Sequence, residues 1–469
     1  MLHMLSLPLL ALNFASAWAA PMCSLRSATA TSSASTTSST SGSAAGGTTT
    51  SPSSSGGNTT RNDDIVATTW YAGWHSQYLA PADISWSKYT SVTYSFALTT
   101  PDVNTVSLNS DDEQLLPQFV EAAHNSNSKA MLTVGGWTGS QYFSSAVGSA
   151  DNRTAFVNAV MGLVSTYNLD GLDFDWEYPN KQGLGCNIIN AQDTPNFLSF
   201  LQELRTAAPN LTLSAAASIV PFAGPDGTPS TDVSEFAKVL DYVAIMNYDI
   251  WGSWSSSVGP NAPLNDTCAP SADQQGSAVS AVQAWTTAGF PANQLVLGVA
   301  SYGHSFHVDQ TAALASLSSS PSSASSAQPA GTTPLAAYPA FDASQQPMGD
   351  SWDVSAPAGV DQCGNPSPGG PSGIFNFGGM IAQGILDQNG TAVPGMGFLF
   401  DECSQTPFVY VPQNQTMISY DDPQSFAAKG KFINEAGLRG FAMWEAAGDY
   451  QDILLDAISN AIGIEEVGC

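Results

Sequence analysis

The sequence predicts an α/β fold: a (β/α)8 barrel of the TIM type, with a small α+β insertion domain between its seventh and eighth strands. Two observations carry this. From residue 65 onward, eight short β-rich runs alternate with amphipathic helical stretches. The rhythm breaks once, between residues 303 and 423, over a length no single loop should have.

The predicted strands are 65–74, 91–98, 129–137, 169–177, 211–218, 241–248, 295–303 and 438–446. They are rich in Val, Ile, Leu, Ala and aromatic residues, the composition of strands covered on both faces. Between them, Phe156, Val160, Leu163 and Val164 recur at helical spacing, as do Phe197, Phe200, Leu201 and Leu204. Ser230 or Thr231 is placed to cap a helix through Val233, Phe236, Ala237 and Leu240. Gly289 and Gly437 stand where helices should stop. The barrel is assigned to 61–304 and 421–469, and the insertion to 305–420. Within the insertion, the Ser/Ala/Pro-rich stretch 315–334 reads as a surface loop, and Gly395–Phe400 and Pro407–Val411 read as strands.

The N-terminal region is of another kind. Residues 1–19 form a short apolar run ending in small residues, with Ala17 and Ala19 at the −3 and −1 spacing of signal-peptide cleavage. Residues 20–60 are almost wholly Ser, Thr, Ala and Gly, a composition that cannot offset its ordering entropy by burial, and the segment is expected to be disordered. No stretch is long and apolar enough to span a bilayer, so no membrane partner is expected. Six N-x-[ST] sequons, at Asn58, Asn152, Asn210, Asn265, Asn389 and Asn414, and an even set of six cysteines suit a secreted, extracellular chain. Loop positions argue for Cys186–Cys268 and Cys363–Cys403 disulfides among the possible connectivities.

The net charge is −28, from 39 acidic and 11 basic residues. No basic cluster exists to neutralise phosphates, which excludes nucleic acid as a partner. So acidic a surface suits work at mildly acidic pH. Nothing demands more than a monomer.

The chemistry concentrates in Asp170-Gly-Leu-Asp-Phe-Asp-Trp-Glu-Tyr-Pro179. Strand side chains alternate faces, so Asp173, Asp175 and Glu177 project together while Leu172, Phe174 and Trp176 project the other way. With the apolar set against the helices, the acids climb the barrel interior toward its C-terminal mouth. Three such carboxylates cannot all ionise cheaply, so protons are retained and shared. The outermost, Glu177, is best placed to serve as a general acid. A divalent-metal site is the alternative reading of the spacing.

This segment resembles the D-G-x-D-x-D-W-E signature of glycoside hydrolase family 18, the chitinase family. Leu132-Thr-Val-Gly-Gly-Trp137 resembles its strand-three motif, Met246-Asn-Tyr-Asp249 its M-x-Y-D motif, and Gly252-Ser-Trp254, Asn261-Ala-Pro-Leu264 and Tyr420-Asp-Asp-Pro423 follow its pattern, with Trp444 at the strand-eight position. The resemblance covers about 61–460. It implies hydrolysis of β-1,4-linked N-acetylglucosamine polymers, with chitin and N-acetylglucosamine oligomers as partners and with no cofactor and no metal. The substrate's own acetamido oxygen would be the nucleophile. Glu177 would be the acid and then the base. Asp175 would bond the acetamido N–H, Asp173 would share a proton with Asp175 from below, and Tyr248 would hold the acetamido oxygen. Tyr71, Phe96, Gly136, Trp137, Tyr178, Met246, Asp249, Trp254, Tyr302, His304 and Trp444 would line the substrate cleft. One departure stands out: His304 occupies a position where the family usually has Arg, which implies a weaker grip on the sugars as pH rises. A chitin-binding lectin on the same fold and an endo-β-N-acetylglucosaminidase acting on N-glycans are the competing functions.

Overall fold

A computed structural model describes residues 24–27, 65–314 and 328–467. The expected signal peptide, most of the Ser/Thr-rich segment and residues 315–327 lie outside the described residues. Eight strands form the barrel: Val66–Ala72, Ser91–Thr99, Lys129–Gly135, Gly171–Asp175, Thr212–Ala217, Tyr242–Ile245, Leu295–Ala300 and Gly440–Trp444. Each pairs in parallel with the next, and the eighth pairs in parallel with the first, which closes the ring. Helices cover the outside. Phe174 packs on Phe197 and Phe200, and Trp176 stacks on Phe143, so the apolar face of the fourth strand meets the helical layer as its alternation requires.

The run expected as strand seven is in fact two strands. Leu295–Ala300 belongs to the barrel, and Tyr302–His307 pairs antiparallel with Ile374–Asn376 and Thr416–Ser419. The switch falls at Ser301, whose Oγ donates to the Glu445 carbonyl while the Glu445 N–H donates to it. Tyr302 and His304 are therefore insertion residues. The insertion sheet runs in the order Thr333–Pro334, Gly397–Asp401, Thr406–Val411, Thr416–Ser419, Tyr302–His307, Ile374–Asn376. The helix expected after Ser230 is reduced to one 3-10 turn, Phe236–Lys238. Phe236 is still buried, against Phe222, so packing there needs no longer helix. Helix Pro423–Ala436 leads back to the barrel, capped by Asp422 and ended by Gly437 in the left-handed conformation (φ 68°).

The disulfides correct the expected pairing: they are Cys186–Cys363 and Cys268–Cys403. Cys186 and Cys268 lie on different barrel loops, after the fourth and sixth strands, and the insertion reaches each of them. Cys23 and Cys469 lie outside the described residues.

Candidate active site

Asp173 and Asp175 point into the barrel, and Glu177 stands just beyond the end of the same strand. Asp173 is the deepest. It accepts hydrogen bonds from Trp70 Nε1 (3.1 Å), Thr133 Oγ1 (3.0 Å) and Ser214 Oγ (2.6 Å). Burial raises its pKa, and these three donors oppose the rise. Asp175 Oδ1 is buried with no hydrogen-bond partner. Burial first, and the charges of Glu177 and Asp173 next, push its pKa well above the ordinary carboxylate range. Burial lifts Glu177 to about 7, with the Tyr178 hydroxyl pulling down and Asp249 pushing up.

The backbone of Glu177 is pinned on both sides. Its N–H donates to Ser140 Oγ (2.9 Å), and its carbonyl accepts from Asn187 Nδ2 (2.7 Å). Two glycines make room for the strand ends. Gly135 (φ 111°) lies where a Cβ would overlap the Asp175 carbonyl, and at Gly136 (φ 79°) a Cβ would sit 2.9 Å from the Phe96 ring.

Aromatic residues surround the acids. Trp444 stacks on Phe96 (5.6 Å, 22°) above Trp70. Tyr248 is buried and packs edge-on against Tyr302. Asp249 Oδ1 accepts from the Tyr302 hydroxyl (2.6 Å) and shares a hydrogen bond with His304 Nε2 (2.7 Å), so the imidazole is committed to Asp249. Trp137 is 49% exposed and Trp254, edge-on to His304, is 62% exposed. A cavity of about 430 Å³ is lined by Phe96, Asp175, Met246 and Tyr248 among others. A second, of about 1160 Å³, continues past Trp254, Tyr302 and His304. The two share Trp137, Glu177, Tyr178, Asp249 and Trp444, so one groove passes directly over Glu177.

Tyr71 is a correction. It is fully buried, packs on Tyr94 and Phe119, and donates to the Leu79 carbonyl, on the helix side of the first strand. Its neighbour Trp70 is the inward residue. Sequence reasoning also missed Trp74 and Trp352, both in the groove. Trp74, 54% exposed, stacks on Phe96. Its position just past the first strand's C-terminal end was the available signal. Among the described residues, no group of three or more His, Cys, Asp or Glu is arranged to hold a metal ion. The site as built offers a carboxylic acid that can carry a proton near neutral pH, a second buried carboxyl on the same strand, and flat apolar surfaces of the kind that meet sugar C–H faces.

Comparison with known proteins identifies the family and the fold. The sequence profile described as glycosyl hydrolases family 18 matches residues 67–449. A "chitinase-like effector" of Moniliophthora roreri is 51% identical over 400 residues, which are 85% of this chain and 93% of the relative. Chitinase 1 of Aphanocladium album is 28% identical over 355 residues, 73% of this chain and 67% of the relative. The crystal structure of a chitinase from Rhizomucor miehei superposes with a TM-score of 0.72 at 31% identity, over 85% of this chain and 100% of that one.

Proposed function

The chain belongs to glycosyl hydrolase family 18, and on that premise we propose that it is a secreted chitinase cleaving β-1,4-linked N-acetylglucosamine polymers with retention of configuration. The observation that supports this best is Glu177, raised to about 7 and lining the same cavity as Asp175, one of whose buried oxygens lacks a partner. Glu177 protonates the glycosidic oxygen. The sugar's own acetamido oxygen closes on the anomeric carbon, held in attacking position by Tyr248. Asp175 accepts the acetamido N–H with its free oxygen and, passing its proton inward to Asp173, stabilises the developing positive charge as a carboxylate. Glu177, now a carboxylate, draws a proton from the water that opens the ring. Trp444, Phe96 and Trp74 supply the apolar floor. His304 acts through Asp249 and offers the sugars fewer donors than an Arg would. Two disulfides and the sequons support work outside the cell.

The name carried by the M. roreri relative favours a second reading, in which the groove binds chitin oligomers without cutting them. Release of short N-acetylglucosamine oligomers from colloidal chitin by the wild type, but not by Glu177→Gln, supports the chitinase. Retained binding with no release by either protein establishes the second reading. Products with inverted configuration would refute the mechanism.

A further inference from the structure

Residues 349–374 leave the insertion sheet as a long hairpin. The Asp353 carboxylate closes its base, accepting from the backbone N–H groups of Gly349 (2.7 Å), Ser372 (3.0 Å) and Gly373 (2.9 Å). Its arms pair at Ala356 and Gly370, and again between Gly359–Val360 and Pro366–Ser367. It has almost no core of its own: Val354 is 81% exposed and Val360 71%. Such an element should not hold one position over a groove by packing.

It is instead tied at both ends, to opposite sides of the barrel mouth. At the base, Trp352 lines the groove, stacks on Tyr78 (4.0 Å, 14°) and contacts His75 (4.9 Å), both from the loop after the first strand. At the tip, Cys363 is disulfide-bonded to Cys186 in the loop after the fourth strand. The insertion leaves the barrel after the seventh strand, which is separated from the fourth by two strands one way round the ring and four the other. The ten residues from Asp353 to Cys363 reach roughly 30 Å at strand spacing, enough to cross a barrel mouth. The receiving loop belongs to the acid itself, since Asn187, next to Cys186, holds the Glu177 carbonyl.

We propose that hairpin 353–372 is a covalently staked strap across the substrate groove, which makes the protein selective for single, detached N-acetylglucosamine chains that thread beneath it. A chain lying in an open groove can lift off sideways, whereas one beneath a fixed bar must slide out along its length. The strap therefore lengthens the residence of long oligomers and hinders engagement with flat crystalline chitin. This rests on reading the groove as a sugar-binding groove.

The test measures release of the N-acetylglucosamine hexamer from the full chain carrying Glu177→Gln, which separates binding from turnover. Adding Cys186→Ser with Cys363→Ser should speed release at least roughly fivefold. Adding Cys268→Ser with Cys403→Ser, which breaks the other disulfide, should leave release unchanged. If the first pair does not fold, replacement of 356–370 by two glycines together with Cys186→Ser gives the same readout. Equal release from parent and strap variant overturns the strap alone. A parent that binds no hexamer overturns the sugar-binding reading and the strap with it.

Discussion

Gly171–Asp175 is hidden along its whole length, bonded to a strand on each side and packed against two aromatic residues of helix Asp193–Ala207. Hairpin 353–372 lies largely in solvent, with short pairings, a carboxylate at its base and a disulfide at its tip. Both face the same groove. The first is positioned by packing shared with the whole barrel, so its carboxylates hold their places and their raised pKa values. The second is positioned by two tethers, so its sequence is free to vary wherever the tethers are kept. The candidate catalytic carboxylates sit where burial is deepest, and the proposed strap sits where it is shallowest.

The contrast can be broken most directly at Phe174. Phe174→Ala should cost roughly 3–5 kcal/mol in a denaturant titration, because the cavity opens between strand and helices. A loss under 1 kcal/mol would mean that packing does not place the acids. Next is Asp175→Asn, expected to lower kcat roughly 10²–10³-fold with KM little changed, as steady-state assays on a soluble oligomer would show. A rise in KM alone would make Asp175 a binding group. The third expectation concerns pH. Glu177 at about 7, with Asp422 and Asp449 at about 6, keep their protons in the folded chain above the ordinary carboxylate range, chiefly through burial. Between about pH 4 and 7 the unfolded chain therefore binds fewer protons, and this contribution to stability falls as pH rises. The melting temperature should decline across that window, and turnover should fall as pH rises through about 7. A melting temperature rising from pH 4 to 7 contradicts the assignment. The smallest effect is expected on the strap, where Val360→Ser should stay within about 0.5 kcal/mol.

The same contrast governs what the sequence revealed. The eight barrel strands were legible because burial on both faces leaves a continuous apolar signature, and the acids because alternation fixes their common side. Tyr71 was misplaced although the same alternation decides it: Trp70 and Tyr71 are both aromatic, and only the register with Asp173 tells which one looks inward. Residues 295–303 read as one strand, and nothing local marks Ser301 as the residue where parallel pairing gives way to antiparallel. The disulfides were illegible for a related reason. Each joins residues more than a hundred positions apart, and the partner depends on how the insertion is draped over the barrel. Trp352 escaped notice because its surroundings come from a loop near the start of the barrel.

The pairing of His304 with Ser419 also bears on how such a molecule can diversify. The insertion's departure and return run side by side, so the barrel sees a two-stranded stem of constant width whatever lies above it. A cassette of different length or shape can be grafted at Tyr302 and Ser419 without stretching the ring beneath. Exchange at those two joints would carry a new polymer preference onto an unchanged set of carboxylates.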